Sequence, residues 1–121
     1  MMCRGLRGAT RAKENTVEAI LSATRELLDC LVEKNDLRED NVAAVIFTTT
    51  KDLNAEFPAR AAREMGWTNI ALMCAHEMDV PDAPSRCIRV LVLLNTEKAA
   101  DELVNVYLNG TEKLRMRGAT A

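Results

Sequence analysis

Apolar positions repeat with helical spacing in one long stretch and cluster as β-branched or nearly unbroken runs in several shorter ones. Between residues 16 and 34, Val17, Ile20, Leu21, Leu27, Leu28, Leu31 and Val32 fall along one stripe of an α-helix. Asn15 or Thr16 can cap it, Glu18 suits its first turn, and Lys34-Asn35 suits its end. Residues 42–50 hold the run Ala-Val-Ile-Phe-Thr-Thr-Thr and predict a strand. From Cys87 to Leu94 every residue is apolar except Arg89, which predicts a buried central strand. Residues 2–11 predict an N-terminal strand, bulged where Gly5 and Gly8 flank Arg7. Residues 69–75 predict another, with Leu72 and Cys74 on one face. Pro58 opens a short helix over 58–65 that Gly66 ends, and Phe57 before it reads as a core plug. Residues 38–41 read as a turn or short helix. Ala100, Leu103, Val104 and Tyr107 recur at helical spacing over 99–107, and 108–115 reads as a last short extended segment. Together these elements predict a mixed α/β (α+β) domain with about five strands and two main helices.

The 121 residues suit one domain, 1–121, with 116–121 as a small polar tail. Four aromatic residues and a net charge of −2 argue against a nucleic-acid surface built on stacking or phosphate attraction. Cys3, Cys30, Cys74 and Cys87 show no paired spacing, the start has no signal pattern, and no apolar run approaches a membrane span. These features predict a cytoplasmic chain with reduced thiols, no membrane contact and no nucleic-acid partner.

Arg89 is the chemical oddity. A guanidinium in an apolar strand keeps its proton, so it needs an anion or a cavity. Glu77, across a turn marked by Pro81 and Pro84, is a candidate partner. A purely structural ion pair is one reading, a site the other. Gly5-x-x-Gly8 lacks the rest of a phosphate loop. Cys74 and His76 share a strand face, but no further ligand or orienting carboxylate accompanies them, which disfavours a metal site or thiol catalysis. What remains is Arg7, Arg60, Arg63, Arg89 and Arg115 with Glu77 and Tyr107, a set suited to a small dianion. Without nucleophile, metal or base, it suits a reaction driven by restraint and electrostatics.

Five segments, Arg4-Gly-Leu-Arg-Gly-Ala-Thr10, Phe57-Pro-Ala-Arg-Ala-Ala-Arg63, Glu77-Met-Asp-Val80, Cys87-Ile-Arg-Val90 and Val106-Tyr-Leu108, resemble the monofunctional AroH class of chorismate mutase, in order and at similar spacing. The resemblance spans about residues 3–115. It implies a five-stranded mixed sheet packed by helices and a homotrimeric pseudo-α/β barrel with sites between subunits. It implies conversion of chorismate to prephenate by a concerted Claisen rearrangement in aromatic amino-acid biosynthesis, with no metal, cofactor or covalent intermediate. Arg89 would meet the ether oxygen, Glu77 the ring hydroxyl, and Arg7 and Tyr107 the enolpyruvyl carboxylate. Cys74 would approach the ring hydroxyl, with Met73, Ala75 and His76 lining the cleft. Phe57 and Arg63 would come from a neighbour, and Arg60, Leu114 and Arg115 would border the site.

Three features depart from the familiar pattern. Arg60 stands in place of a lysine, the loop Pro81-Asp-Ala-Pro-Ser-Arg86 is richer in proline, and Asn109-Gly-Thr interrupts an extended segment. The rival readings are a trimeric enzyme of similar barrel architecture acting on imines or enamines, and a non-catalytic trimer that binds a small carboxylate.

Overall fold

The computed structural model describes residues 1–114. Arg115 and the tail expected at 116–121 lie outside the described residues. Five strands and two helices follow along the chain: β1 Met2–Arg11, α1 Val17–Asn35, β2 Val42–Thr49, α2 Ala59–Glu64, β3 Ala71–His76, β4 Cys87–Thr96 and β5 Val106–Tyr107. Single 3₁₀ turns occupy Glu39–Asn41, Ala100–Glu102 and Glu112–Leu114. The strands form one mixed sheet in the order β3-β2-β4-β1-β5. The central strand β4 runs antiparallel to both β1 and β2, while β3 pairs parallel to β2 and β5 parallel to β1.

Both helices pack on one face of the sheet. Leu27, Leu28 and Leu31 of α1 and Ala59 and Ala62 of α2 share a core with Leu6, Val45, Phe47, Val90 and Val92. The Thr16 hydroxyl accepts from the Ala19 N–H and caps α1, as its sequence predicts. The left-handed stop is Asp36, at φ 52°, one residue after Asn35. The opposite sheet face carries no helix. Ile46, Leu91 and Leu93 are only half-buried there, between polar Arg7, Thr48 and Arg89.

Four expectations are corrected. First, β1 pairs with β4 without interruption from Met2↔Thr96 to Arg11↔Cys87, so neither a bulge nor a phosphate loop exists at Gly5 and Gly8. Gly8 instead permits a close approach: a Cβ there would stand 3.0 Å from Leu27, 3.2 Å from Leu31 and 3.1 Å from the Val106 carbonyl. Second, Phe57 is no core plug, since it is 65% exposed. Third, residues 99–107 are not a helix. One 3₁₀ turn gives way to β5, because side chains from elsewhere claim that backbone. The Asn35 amide, only 3% exposed, donates to the Val104 carbonyl (2.9 Å) and accepts from the Val104 N–H (2.7 Å). Fourth, residues 108–114 do not continue as a strand: the buried Thr111 hydroxyl lies within hydrogen-bond distance of the Ala9 and Leu108 carbonyls, and the 3₁₀ turn follows.

Asn35 therefore acts as a buried clasp between α1 and the segment that carries Tyr107. Asn35→Ala would strand both polar groups of Val104, at a cost of about 1–3 kcal/mol. We expect a lower urea midpoint with an unchanged m-value. A midpoint equal to that of the parent would refute the clasp.

Candidate active site

Strand alternation gathers polar side chains on the helix-free face. Arg89 lies mid-sheet on β4, with Ala9 of β1 and Thr48 of β2 as its register partners. Arg7 of β1 pairs with Leu91, and Tyr107 of β5 pairs with Ala9, so both fall on the same face. Glu77 directly follows β3, where its N–H donates to the Thr49 carbonyl (2.8 Å). Arg7, Thr48, Glu77, Arg89 and Tyr107, with Ile46 and Leu91 as apolar walls, line a cavity of about 260 Å³.

The Glu77 carboxylate is held by three donors. Its Oε2 accepts from Arg89 Nη1 (3.1 Å) and from the Thr48 hydroxyl (3.0 Å). Its Oε1 accepts from the Met78 N–H (3.1 Å). Partial burial pushes the Glu77 pKa up, but the Met78 and Thr48 hydrogen bonds and the Arg89 charge outweigh it, and the net shift is downward. Glu77 is thus an anion at neutral pH. Arg89 answers both needs raised by its strand, because it has an anionic partner and lines a cavity. Its side chain is 42% exposed, so the pair is not sealed in the interior. Among the described residues, the Arg7 guanidinium and the Tyr107 hydroxyl have no hydrogen-bond partner. The Arg7 backbone is fixed instead, its N–H donating to Asn105 Oδ1 (2.9 Å).

The loop after Glu77 is tied back to the sheet. The Asp52 carboxylate accepts from the Arg86 N–H (2.9 and 3.2 Å), and Thr50 Oγ1 accepts from the Cys87 N–H (3.0 Å). Arg11 Nε adds a bond to the Ser85 carbonyl (2.9 Å). These contacts fix where the chain re-enters β4, two residues before Arg89.

Other residues expected at the site lie elsewhere in the chain. Phe57, Cys74, Ala75 and His76 surround a second cavity of about 320 Å³. Cys74 and His76 occupy the β3 face opposite Glu77: Cys74 packs against the main core, and His76 Nδ1 meets the Thr49 hydroxyl (3.2 Å). Within one chain Cys74 therefore does not reach the Glu77 cavity. Met73 is 63% exposed. Arg60 is engaged by Glu56 (2.8 Å) and Glu64 (3.1 Å), whereas Arg63 is exposed on the same helix. Leu114 borders a third cavity, of about 300 Å³, together with Glu77 and Arg89. Arg115 is outside the described residues. Thr48 was missed by sequence reasoning; only its two-residue spacing from Ile46 signals its place on this face.

Cys74 and Cys87 are poorly suited to nucleophilic work. Burial pushes the Cys74 thiol up, and Cys87 is pushed up to about 11, also by burial. Among the described residues no three His, Cys, Asp or Glu side chains gather where they could hold a metal ion. No described helix is long and apolar enough to cross a membrane.

The family described as chorismate mutase type I matches residues 3–117. A relative named chorismate mutase AroH, from Thermus thermophilus, is 47% identical over 115 residues, covering 94% of each chain. Another of that name, from Bacillus subtilis strain 168, is 40% identical over 116 residues, covering 95% of this chain and 91% of its own. The solved structure of a chorismate mutase from Clostridium thermocellum superposes with a TM-score of 0.87 at 50% identity, covering 89% of this chain and 96% of that one. With the sheet topology and nearly full-length similarity in agreement, the chain belongs to the type I chorismate mutase family and is an isomerase of that activity.

Proposed function

We propose that residues 1–121 act as one domain that converts chorismate to prephenate by a concerted rearrangement of a single bound molecule, without covalent intermediate or cofactor. The C–O bond to the ring breaks as a C–C bond forms at the far end of the enolpyruvyl group, so every atom and electron stays within the substrate. Arg89 donates to the ether oxygen as it gains negative charge. Glu77 accepts from the ring hydroxyl and opposes positive charge developing on the ring. Arg7 and Tyr107 grip the enolpyruvyl carboxylate and restrain the chair-like conformer. The observation that carries this reading is the cavity itself. It sets one carboxylate and two guanidinia against apolar walls, and only Nη1 of Arg89 is engaged by Glu77.

The working unit in this proposal is a homotrimer in the cytoplasm. The half-buried Leu93 and the exposed Phe57 and Met73 leave apolar surface for a second copy to cover. Phe57 and Cys74 share a cavity on the far side of β3, so they would enter a neighbour's site together, with the Arg63 charge close enough to act on the Cys74 thiol. The four free cysteines suit a reducing compartment.

Mixing two slow variants tests the shared site. Arg89→Ala and Arg63→Ala chains, refolded together, form mixed rings in which one interface keeps both arginines. A statistical mixture should then regain about a quarter of parental turnover, measured as prephenate formed from chorismate. Mixed trimers that stay as slow as either variant alone would refute sites built between subunits.

A further inference from the structure

We propose that Thr48 is a positioning residue for Glu77: its hydroxyl orients the carboxylate so that Oε1 faces the substrate ring. This rests on Glu77 acting at the ring, as proposed above. Thr48 sits on β2 opposite Arg89 in the register, on the same face and against the same cavity. Its hydroxyl donates to Glu77 Oε2 (3.0 Å), the oxygen that also accepts from Arg89 Nη1 (3.1 Å). Oε2 therefore has two donors arriving from adjacent strands. Oε1 has only the Met78 N–H, and retains capacity for the substrate hydroxyl.

The two anchors on Oε2 have different duties. Arg89 must also serve the breaking C–O bond, so its guanidinium cannot be tuned for Glu77 alone. A threonine on a paired strand has few rotamers and a fixed Cβ, and holds the carboxylate whether or not Arg89 shifts toward substrate. The contact also joins the loop that carries Glu77 to the sheet, through a side chain as well as through the Glu77 N–H to the Thr49 carbonyl.

The test is Thr48→Val, which keeps the strand-favouring shape and removes the hydroxyl, with Thr48→Ser as the conservative variant. The readouts are kcat and the midpoint of the Glu77 carboxyl followed by ¹³C NMR. The charged and titratable groups facing Glu77 are Arg89 and Cys87 on β4, Arg7 on β1 and Tyr107 on β5, with Lys51 and Asp52 after β2 and Asp79 on its own loop; β2 contributes no charge within its strand. All are unchanged in the variants. Thr48→Val should raise the Glu77 midpoint by about one unit and lower kcat about tenfold. Thr48→Ser should restore both. In a Glu77→Gln background the valine substitution should cost almost nothing more, because the two residues act as one. An unmoved midpoint, or a full additional loss in the Glu77→Gln background, would overturn the role. If Glu77→Gln alone left turnover intact, the reading of Glu77 would fail, and that of Thr48 with it. If Glu77→Gln were slow but Thr48→Val had no effect, only Thr48 would be misassigned.

Discussion

Replacing Arg89 with alanine should lower kcat by about 10³-fold while leaving the fold in place. The expected loss follows from where charge develops. In the ground state the ether oxygen is nearly neutral, and the negative charge it gains near the transition state is what a fixed guanidinium stabilises. Removal of one such donor from a desolvated site costs on the order of 10²–10³ in kcat. Loss of Arg89 has a second effect, on substrate binding. Glu77 keeps its donors from Thr48 and Met78 and stays ionised, so the variant cavity presents an uncompensated carboxylate to a dianion. KM should rise as well. Arg89→Lys should recover little, because an ammonium is a compact charge and cannot serve Glu77 and the ether oxygen in the fork geometry of a guanidinium. Stability should change by less than about 1 kcal/mol, since the Arg89 side chain is 42% exposed and such pairs contribute little. Steady-state kinetics with a urea titration on the same preparation separates the two effects. A kcat within tenfold of the parent would refute the role of Arg89.

Glu77→Gln comes second, with an expected loss of about 10²-fold in kcat. In the proposed mechanism glutamine would keep an acceptor for the ring hydroxyl but withdraw the charge that opposes the developing cation. The pH dependence sharpens this prediction. The folded-state pKa of Glu77 lies below the ordinary 4.5, so the carboxylate is fully charged at neutral pH. Parental turnover should therefore be level across neutrality and fall only as pH drops through that lowered value. Stability follows the same sign. The contribution of a carboxylate with a depressed pKa is complete above its unfolded pKa and is lost as pH falls through the folded one. In Glu77→Gln the acid decline due to this group should vanish, leaving slow turnover. An acid limb identical to that of the parent would show that another group causes it.

The framework of the fold was legible because each long element carries its own signal. The α1 stripe and the Thr16 cap mark a helix without outside help. The runs that became β2 and β4 need no long-range knowledge to read as strands. Residues 99–107 misled because four apolar residues at helical spacing are only a local fact. Asn35 and Asn105, distant or polar, decide the backbone there through the Val104 and Arg7 hydrogen bonds. The site divides in the same way. Arg89 and Glu77 stood out as charges beside an apolar run. Thr48 did not, since threonine in a β-branched strand is unremarkable until its partner is seen. Phe57 was read as interior because a phenylalanine beside a helix start usually is. The buried side chains of α2 are all alanines, and Phe57, just before its start, stays outside that packing.

The pairing of β1 with β4 also governs how the protein is made. Met2 lies opposite Thr96, and Arg11 opposite Cys87. On the ribosome β1 waits for the last long strand, and β2, which emerges later, also lacks its antiparallel neighbour until β4 appears. β4 must leave the exit tunnel before the sheet has a centre. Closing so many contacts distant in sequence is slow, and the waiting strands expose apolar edges to other chains. Arg7 and Arg89 therefore share a cavity only once β4 has paired with β1, and the two arginines meet late in synthesis.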